Sequence, residues 1–175
     1  YAFMQRIMET DRLVLREMNP DDLDFIASML GDEAVMNYWP RPKTRDESRQ
    51  WIEKQSSRYA RDGCGYWLAI EKKTHEPVGQ AGVLMIEIDG LLEPSIGYIM
   101  HRPYWNRGLA TQAGEACLQW AFEHYKPKRV IAPIRPANMP SIAVARKLGM
   151  RESWRTMYAG FEHAIYVKSP AKANP

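Results

Sequence analysis

The chain has 175 residues, 45% of them hydrophobic and 26% charged, with two cysteines and a formal net charge of +3. That is enough chain for one domain with a sizeable core, too little cysteine for a disulfide framework, and no apolar run near the roughly 20 residues that cross a bilayer. The four histidines show no ligand spacing, so no metal is expected. Charge is uneven: residues 1–100 carry 12 basic and 17 acidic side chains, and residues 101–175 carry 12 and 4. The Lys and Arg do not cluster in runs or along one helix, which argues against a nucleic-acid partner. Two readings account for the split: a second half that receives an anion beside a first half that attracts an amine, or simply two differently solvated faces. Tyr1-Ala-Phe-Met lacks the basic start and apolar core of a secretory signal, and neither Cys64 nor Cys117 has a CxxC or Cys/His neighbour. Reduced thiols and a cytoplasmic setting are expected, with no membrane partner.

Thr10 to Glu17 is predicted as the first strand, with Leu13 and Leu15 on one face. Asn19-Pro20-Asp21-Asp22 starts a helix, with Asn as cap, Pro at the first position and acids in the first turn. Leu23, Ile26, Ala27 and Leu30 form its buried stripe, and Gly31 ends it. Tyr38-Trp39-Pro40-Arg41-Pro42 predicts a stiff loop. The capping box Thr44 to Glu47 opens a helix to about Arg61, with Trp51, Ile52, Gln55 and Tyr59 inward. Strands follow at Tyr66 to Lys72 and Val78 to Ile88; Gly79 and Gly82 in the second predict a bulge or a close backbone approach. A third begins at Ser95, where Ile96, Tyr98 and Met100 alternate with Gly97 and Ile99 until Pro103 ends the run. A helix begins near Gly108, its inward positions being Leu109, Ala113, Ala116, Cys117, Trp120 and Ala121. Arg129 to Ile134 is β-rich despite Pro133. Pro140 opens a helix with Ile142, Ala145 and Leu148 inward, and Gly149 stops it. Met150 to Tyr158 and Glu162 to Val167 pair as a hairpin. Residues 1–168 form one domain, and 169–175 a flexible tail.

The chemistry concentrates between Ser95 and Gln112. A helix that starts at Gly108 leaves the N–H groups around Arg107 to Thr111 without intrahelical partners. Small side chains at Gly108 and Ala110 let a ligand reach them, and the helix dipole with Arg102 and Arg107 favours an anion, naturally a phosphate. Neither GxGxxG nor GxxxxGK[ST] is present, which argues against a dinucleotide or P-loop site.

The order strand, turn, Arg107-Gly108-Leu109-Ala110-Thr111, helix, followed by Asn138-Met139-Pro140-Ser141 and Lys147-Leu148-Gly149-Met150, resembles the GCN5-related N-acetyltransferase superfamily. Within it the chain looks like the RimJ/RimL-like, ribosomal-protein-alanine acetyltransferase group. The likeness also covers Thr10 to Arg16, the Ile96-Gly97-Tyr98 strand and the Trp-Asn-Arg-Gly turn. It departs from the family's [Q/R]-x-x-G-x-[G/A] register by placing Trp105 first, and it has Ser95 where the family often has Glu. The resemblance implies an α/β (α+β) fold: a mixed, mostly antiparallel sheet of six to seven strands and about four helices, with a V-shaped splay between the strands flanking the central helix. That splay would excuse Pro133, because a pantetheine arm fills the gap. It implies acetyl-CoA as donor, held by the backbone of Met100 and Arg102, by Arg107, Gly108, Leu109, Ala110, Thr111 and Gln112, and by Asn138. Ser141 would protonate the departing thiolate. Glu93, two residues before Ser95, or Glu87 would act as base through water, each being otherwise a solvated surface carboxylate. The oxyanion donor would be the backbone at Ile99 or Met100. Tyr38, Trp39 and Tyr98 are candidates for the acceptor pocket, and His101 is expected as a turn residue. The partners implied are acetyl-CoA and an amine acceptor, a protein N-terminus or a small molecule, with a homodimer left open. A catalytically silent acyl-CoA-binding module is the alternative that Ser95 keeps in play.

Overall fold

Leu13 and Leu15, which the alternation points inward, are fully buried, and each strand after theirs extends the same sheet. The computed structural model describes residues 6–172. The strands are β1 Arg6–Glu9, β2 Leu13–Arg16, β3 Tyr66–Glu71, β4 Pro77–Ile88, β5 Leu91–Met100, β6 Val130–Ile134, β7 Arg151–Tyr158 and β8 Phe161–Lys168. They lie in the order β1-β2-β3-β4-β5-β6-β8-β7, every neighbouring pair antiparallel except β5 with β6. The helices are α1 Leu23–Leu30, α2 Arg45–Asp62, α3 Leu109–Tyr125 and α4 Met139–Lys147. Both capping boxes form: Asn19 closes a 3-10 turn that leads into α1, and Thr44 with Glu47 caps α2.

The helices cover opposite faces of the sheet. Leu109, Ala113, Cys117 and Leu118 of α3, with Ile142, Ala145 and Leu148 of α4, pack on Ile96 and Met100 of β5 and on Val130, Ala132 and Ile134 of β6. Ile26, Met29 and Leu30 of α1 and Ile52 of α2 pack on Leu68 and Ile99. Each large side chain so buried contributes roughly 1.5–3 kcal/mol. On α3 the inward face is rotated slightly from the predicted one: Gly114 and Leu118 are buried, whereas Ala116 and Trp120 are half-exposed.

Sheet register explains two prolines. β4 and β5 pair without interruption from Gly79↔Met100 to Ile88↔Leu91, and the N–H of His101 bonds the carbonyl of Val78. Facing pairs in an antiparallel ladder alternate between bonded and non-bonded. Ile99, Gly97 and Ser95 therefore spend their backbone groups on β4. Those of Met100, Tyr98, Ile96 and Pro94 point the other way, toward β6. β6 meets β5 through one pair only, Ser95↔Ile131. Because Ser95 is committed to β4, that pair runs from Ile131 to Pro94 and Ile96. Pro94 offers its carbonyl there and needs no N–H. Pro133, two residues beyond, turns its missing donor toward a gap, so no ladder bond is lost.

Among the described residues the sheet has eight strands, more than the six to seven expected. β1 was not foreseen, because its four residues alternate weakly between exposed and half-buried on the sheet edge. β5 begins at Leu91, four residues before the expected start, since Pro94 sits at a register position that tolerates it. Residues 169–172 are exposed and lie outside any helix or strand, and 173–175 of the expected tail fall outside the described residues.

Candidate active site

Past Ser95↔Ile131 the strands β5 and β6 diverge, and the unpaired edge of β5 faces the opening. On the α3–α4 side stands Tyr98, whose hydroxyl donates to the Ser141 carbonyl at 2.8 Å and lies 3.4 Å from Ser141 Oγ. Asn138 caps α4 by accepting from the Ser141 N–H at 3.2 Å, which fixes the first turn of that helix beside Tyr98. Burial pushes the Tyr98 phenol up to about 12, so it stays protonated and able to donate. The structure does not bring Tyr98 together with Tyr38 and Trp39: its ring packs beside Gly114 of α3, on the opposite face from the Tyr38 loop.

Met100 closes the strand. Its N–H points into the opening, while its carbonyl accepts from the indole N–H of Trp105 at 2.8 Å. Trp105 at the first loop position thus ties the loop to the strand end, work that no charge pattern in the sequence announces. Of the two backbone donors proposed for an oxyanion, Ile99 is spent on Gln80 and Met100 is free toward the gap.

The loop turns through left-handed residues at Asn106 (φ 58°) and Gly108 (φ 74°), which bend successive N–H groups to one side of Arg107 as a concave cradle for an anion. Gly108 caps α3 with no side chain, so the N–H groups of Leu109, Ala110 and Thr111 remain open to a ligand. A Cβ on Gly108 would stand 3.2 Å from Arg12 Nη2. Three charged or polar side chains of the expected set have partners within the protein. Arg107 is ion-paired with Glu71 and packs over Tyr104 at 5.8 Å, so its backbone rather than its charge faces a ligand. Gln112 accepts from the Arg12 N–H at 2.9 Å and from the Thr10 hydroxyl, fastening α3 to the start of β2. Arg102 remains exposed and pairs with Asp32 at 3.1 Å. The guanidinium that the loop does recruit is that of Arg12, bonded to the Arg107 carbonyl at 2.7 Å and free of any ion pair among the described residues. Nothing in Asp11-Arg12-Leu13 pointed to this, because the approach spans 95 positions of sequence.

Glu93 is buried, 8% exposed, and ion-paired with Arg129, which also packs on Trp154 at 4.8 Å. It is therefore not the solvated carboxylate expected. It lies on the closed side of the Ser95↔Ile131 pair, so the structure does not bring it together with Ser141. Ser95 Oγ donates to the Leu84 carbonyl at 3.0 Å and turns away from the opening. Glu87 is exposed. On the α1–α2 face, Gly97 is where Tyr66 comes closest: a Cβ there would overlap the Tyr66 hydroxyl. Beyond it an open trough of about 870 Å³ runs between the end of α1 and the end of β5, lined by Ser28, Asp32, Glu33, Asn37, His101 and Arg102. His101 packs edge-on against Phe25 at 5.8 Å, and burial holds its imidazole below the usual range. The loop bearing Tyr38 and Trp39 continues from this trough to the end of β6, where the Tyr38 carbonyl accepts from Arg135 at 3.2 Å.

No helix among the described residues is long and apolar enough to cross a membrane, and no group of three or more His, Cys, Asp or Glu among them could hold a metal ion.

Comparison with known proteins bears on the family and the fold. Residues 12–151 match the acetyltransferase (GNAT) domain family. The uncharacterized protein YkkB of Bacillus subtilis (strain 168) is 32% identical over 163 residues, 90% of this chain and 95% of its own. Among solved structures, the RimL ribosomal L7/L12 alpha-N-protein acetyltransferase in complex with coenzyme A superposes with a TM-score of 0.77 at 18% identity, covering 94% of this chain and 98% of that one. Aminoglycoside acetyltransferase AAC(6')-Ib in complex with coenzyme A gives 0.75 at 17%, covering 90% and 94%. At these identities the two structures speak for the fold.

Proposed function

The chain belongs to the GNAT acetyltransferase family and is an acyl-CoA-dependent N-acetyltransferase; from that premise we propose that it transfers the acetyl group of acetyl-CoA to a protein N-terminal α-amine by direct attack. The pantetheine arm would complete the sheet between β5 and β6, with the pyrophosphate on residues 107–111 and Arg12 beside it. The thioester carbonyl would accept from the Met100 N–H, and the attacking nitrogen would approach from the α1–α2 face. As the acceptor nitrogen bonds to the thioester carbon and the C–S bond breaks, the C–S electron pair goes to sulfur. Ser141 Oγ, itself in contact with the Tyr98 hydroxyl, delivers its proton there, and the proton shed by the nitrogen passes through solvent water, from which Ser141 is reprotonated.

The observation that carries this reading is the unpaired edge of β5 at Tyr98 and Met100, flanked by Ser141 and ending at an uncapped helix N-terminus. What favours a chain end over a small amine is the trough, which opens to solvent and so leaves room for a peptide to continue outward. RimL, named for acetylating the α-amine of a ribosomal protein, and AAC(6')-Ib, named for an aminoglycoside, share this fold, so the acceptor is decided by assay. Thiol release from acetyl-CoA, measured against N-terminal peptides, metabolite amines and aminoglycosides, is expected to be fastest with peptides. Turnover confined to small amines overturns the peptide acceptor. Binding of coenzyme A that is undiminished in Gly108→Val overturns the placement of the pyrophosphate.

A further inference from the structure

Four arginines stand around the opening, and they divide in two. Arg102 and Arg107 are matched to Asp32 and Glu71, whereas Arg12 and Arg135 hydrogen-bond carbonyl oxygens and have no ion pair among the described residues. Arg12 lies on the phosphate side. Arg135 lies across the opening, one residue past β6 and four past Ile131, level with Ile99, which is four past Ser95. Side chains alternate along a strand, so Arg135 shares the face of Ile131 and of α1 and α2, opposite Ser141. Its contacts agree: Nη1 donates to the Tyr38 carbonyl at 3.2 Å, and the guanidinium stacks 4.1 Å from the centre of the Phe161 ring, at the tip of the β7–β8 hairpin. The group is half-buried, held in place from two sides, and uses one of its five N–H donors. A fixed, partly desolvated guanidinium with unspent donors and no carboxylate partner among the described residues is suited to a planar anion.

We propose that Arg135, braced by Phe161 and the Tyr38 carbonyl, is an anion subsite for the acceptor, and that the acceptor amine carries a carboxylate on the same molecule within a residue or two. This rests on the acetyl-transfer reading above and narrows it: for a peptide, the carboxylate is that of an acidic residue near the amino terminus. A polycationic acceptor would meet Arg135 as a like charge at the lip of the site.

The test uses the full chain, acetyl-CoA, and C-terminally amidated peptides that begin with the same residue and carry Asp, Asn or Lys at the second position. For the wild type, kcat/KM is expected to favour Asp over Asn by about tenfold, the scale of one hydrogen bond to a charged group, with Lys poorest. Arg135→Gln, which keeps a donor for the Tyr38 carbonyl, and Arg135→Ala should both lose that preference, chiefly through KM, while coenzyme A affinity holds. Equal use of the three peptides by the wild type, a Lys preference, or an Asp preference that survives in both variants overturns the subsite. Alanine and alaninamide, compared per unprotonated amine, separate this inference from the peptide reading. Refusal of all peptides with alanine preferred over alaninamide overturns the peptide acceptor and supports the carboxylate subsite. Absence of thiol release with every amine tried, while coenzyme A binds, overturns transfer itself and the subsite with it.

Discussion

Ser141 and Glu93 were proposed together as catalytic residues, and they now sit in different surroundings. Ser141 is half-exposed on the rim, oriented by Asn138 and Tyr98, whereas Glu93 is enclosed with Arg129 below the point where β5 and β6 part. Their substitutions should therefore fail differently. Ser141→Ala is expected to lower kcat by about 10²-fold with little change in coenzyme A affinity, the usual scale for losing one proton-transfer group. Glu93→Gln should leave kcat within a few-fold and lower the unfolding midpoint modestly, because the half-exposed Arg129 loses its charged partner at a cost of about 1 kcal/mol. Urea titration and steady-state kinetics on both variants check the contrast; a Glu93→Gln enzyme that is stable but inactive would restore Glu93 as the base. His101 gives a second prediction at this scale. Burial, its principal influence, lowers its proton affinity, with Arg102 adding and Asp32 opposing. The unfolded chain, with a histidine near pKa 6.5, then binds the proton more readily than the folded one. The stability His101 contributes is intact above about pH 6.5 and is lost as the pH falls below it. A His101→Gln variant should show a flatter melting temperature between pH 7 and 5 than the wild type; parallel curves would refute the assignment.

At the scale of elements, the alternation of spent and free backbone groups along β5 is directly measurable. The amides of Tyr98 and Met100 point into the gap, while those of Gly97 and Ile99 bond β4. Hydrogen exchange in the free protein should be fast at 98 and 100 and slow at 97 and 99, and coenzyme A should slow 98 and 100 selectively; uniform protection across all four would show the gap closed. Most elements were legible in the chain because they are signalled locally. Asn19, Thr44, Gly63 and Pro140 mark helix ends by hydrogen-bonding and φ requirements that operate within a few residues. Leu13, Leu15, Ile96 and Met100 reveal a buried face by alternation. What escaped depends on distant partners: the direction of Tyr98, which follows from α3 and α4 covering its face, and the fate of Gln112, settled by Thr10 and Arg12. Arg12 and Arg135 were equally invisible, since a guanidinium announces its charge and not what lies beside it after folding. Trp105 was seen as a departure from a pattern, and only its bond to Met100 gives the departure a reason.

For the whole molecule, the two helix layers imply two separate approaches to one reaction centre. The nucleotide's loop and Ser141 belong with α3 and α4, and the trough and Arg135 belong with α1 and α2. On the proposed reading both substrates would be present together, and neither cysteine is placed to carry the acetyl group between them. Cys117 is buried and its thiol is pushed up by burial, and Cys64 is likewise enclosed, beside the Tyr125 hydroxyl at 3.2 Å, with burial again the main influence. Initial-velocity plots at several fixed acceptor concentrations should intersect rather than run parallel, and brief treatment of the native enzyme with N-ethylmaleimide should leave activity intact. Parallel lines or rapid inactivation would point instead to a covalent acetyl-enzyme. The meeting of β5 and β6 at a single residue has a further consequence, for the protein's life without its co-substrate. Two half-sheets joined by one stitch leave a seam that only a visiting molecule can sew shut, so the unladen enzyme carries an unfinished interior. Its resistance to heat should track the cell's supply of the carrier, gaining about 2.7 kcal/mol when that supply stands a hundredfold above the dissociation constant. A protein built this way is, in effect, kept in repair by the metabolite it consumes.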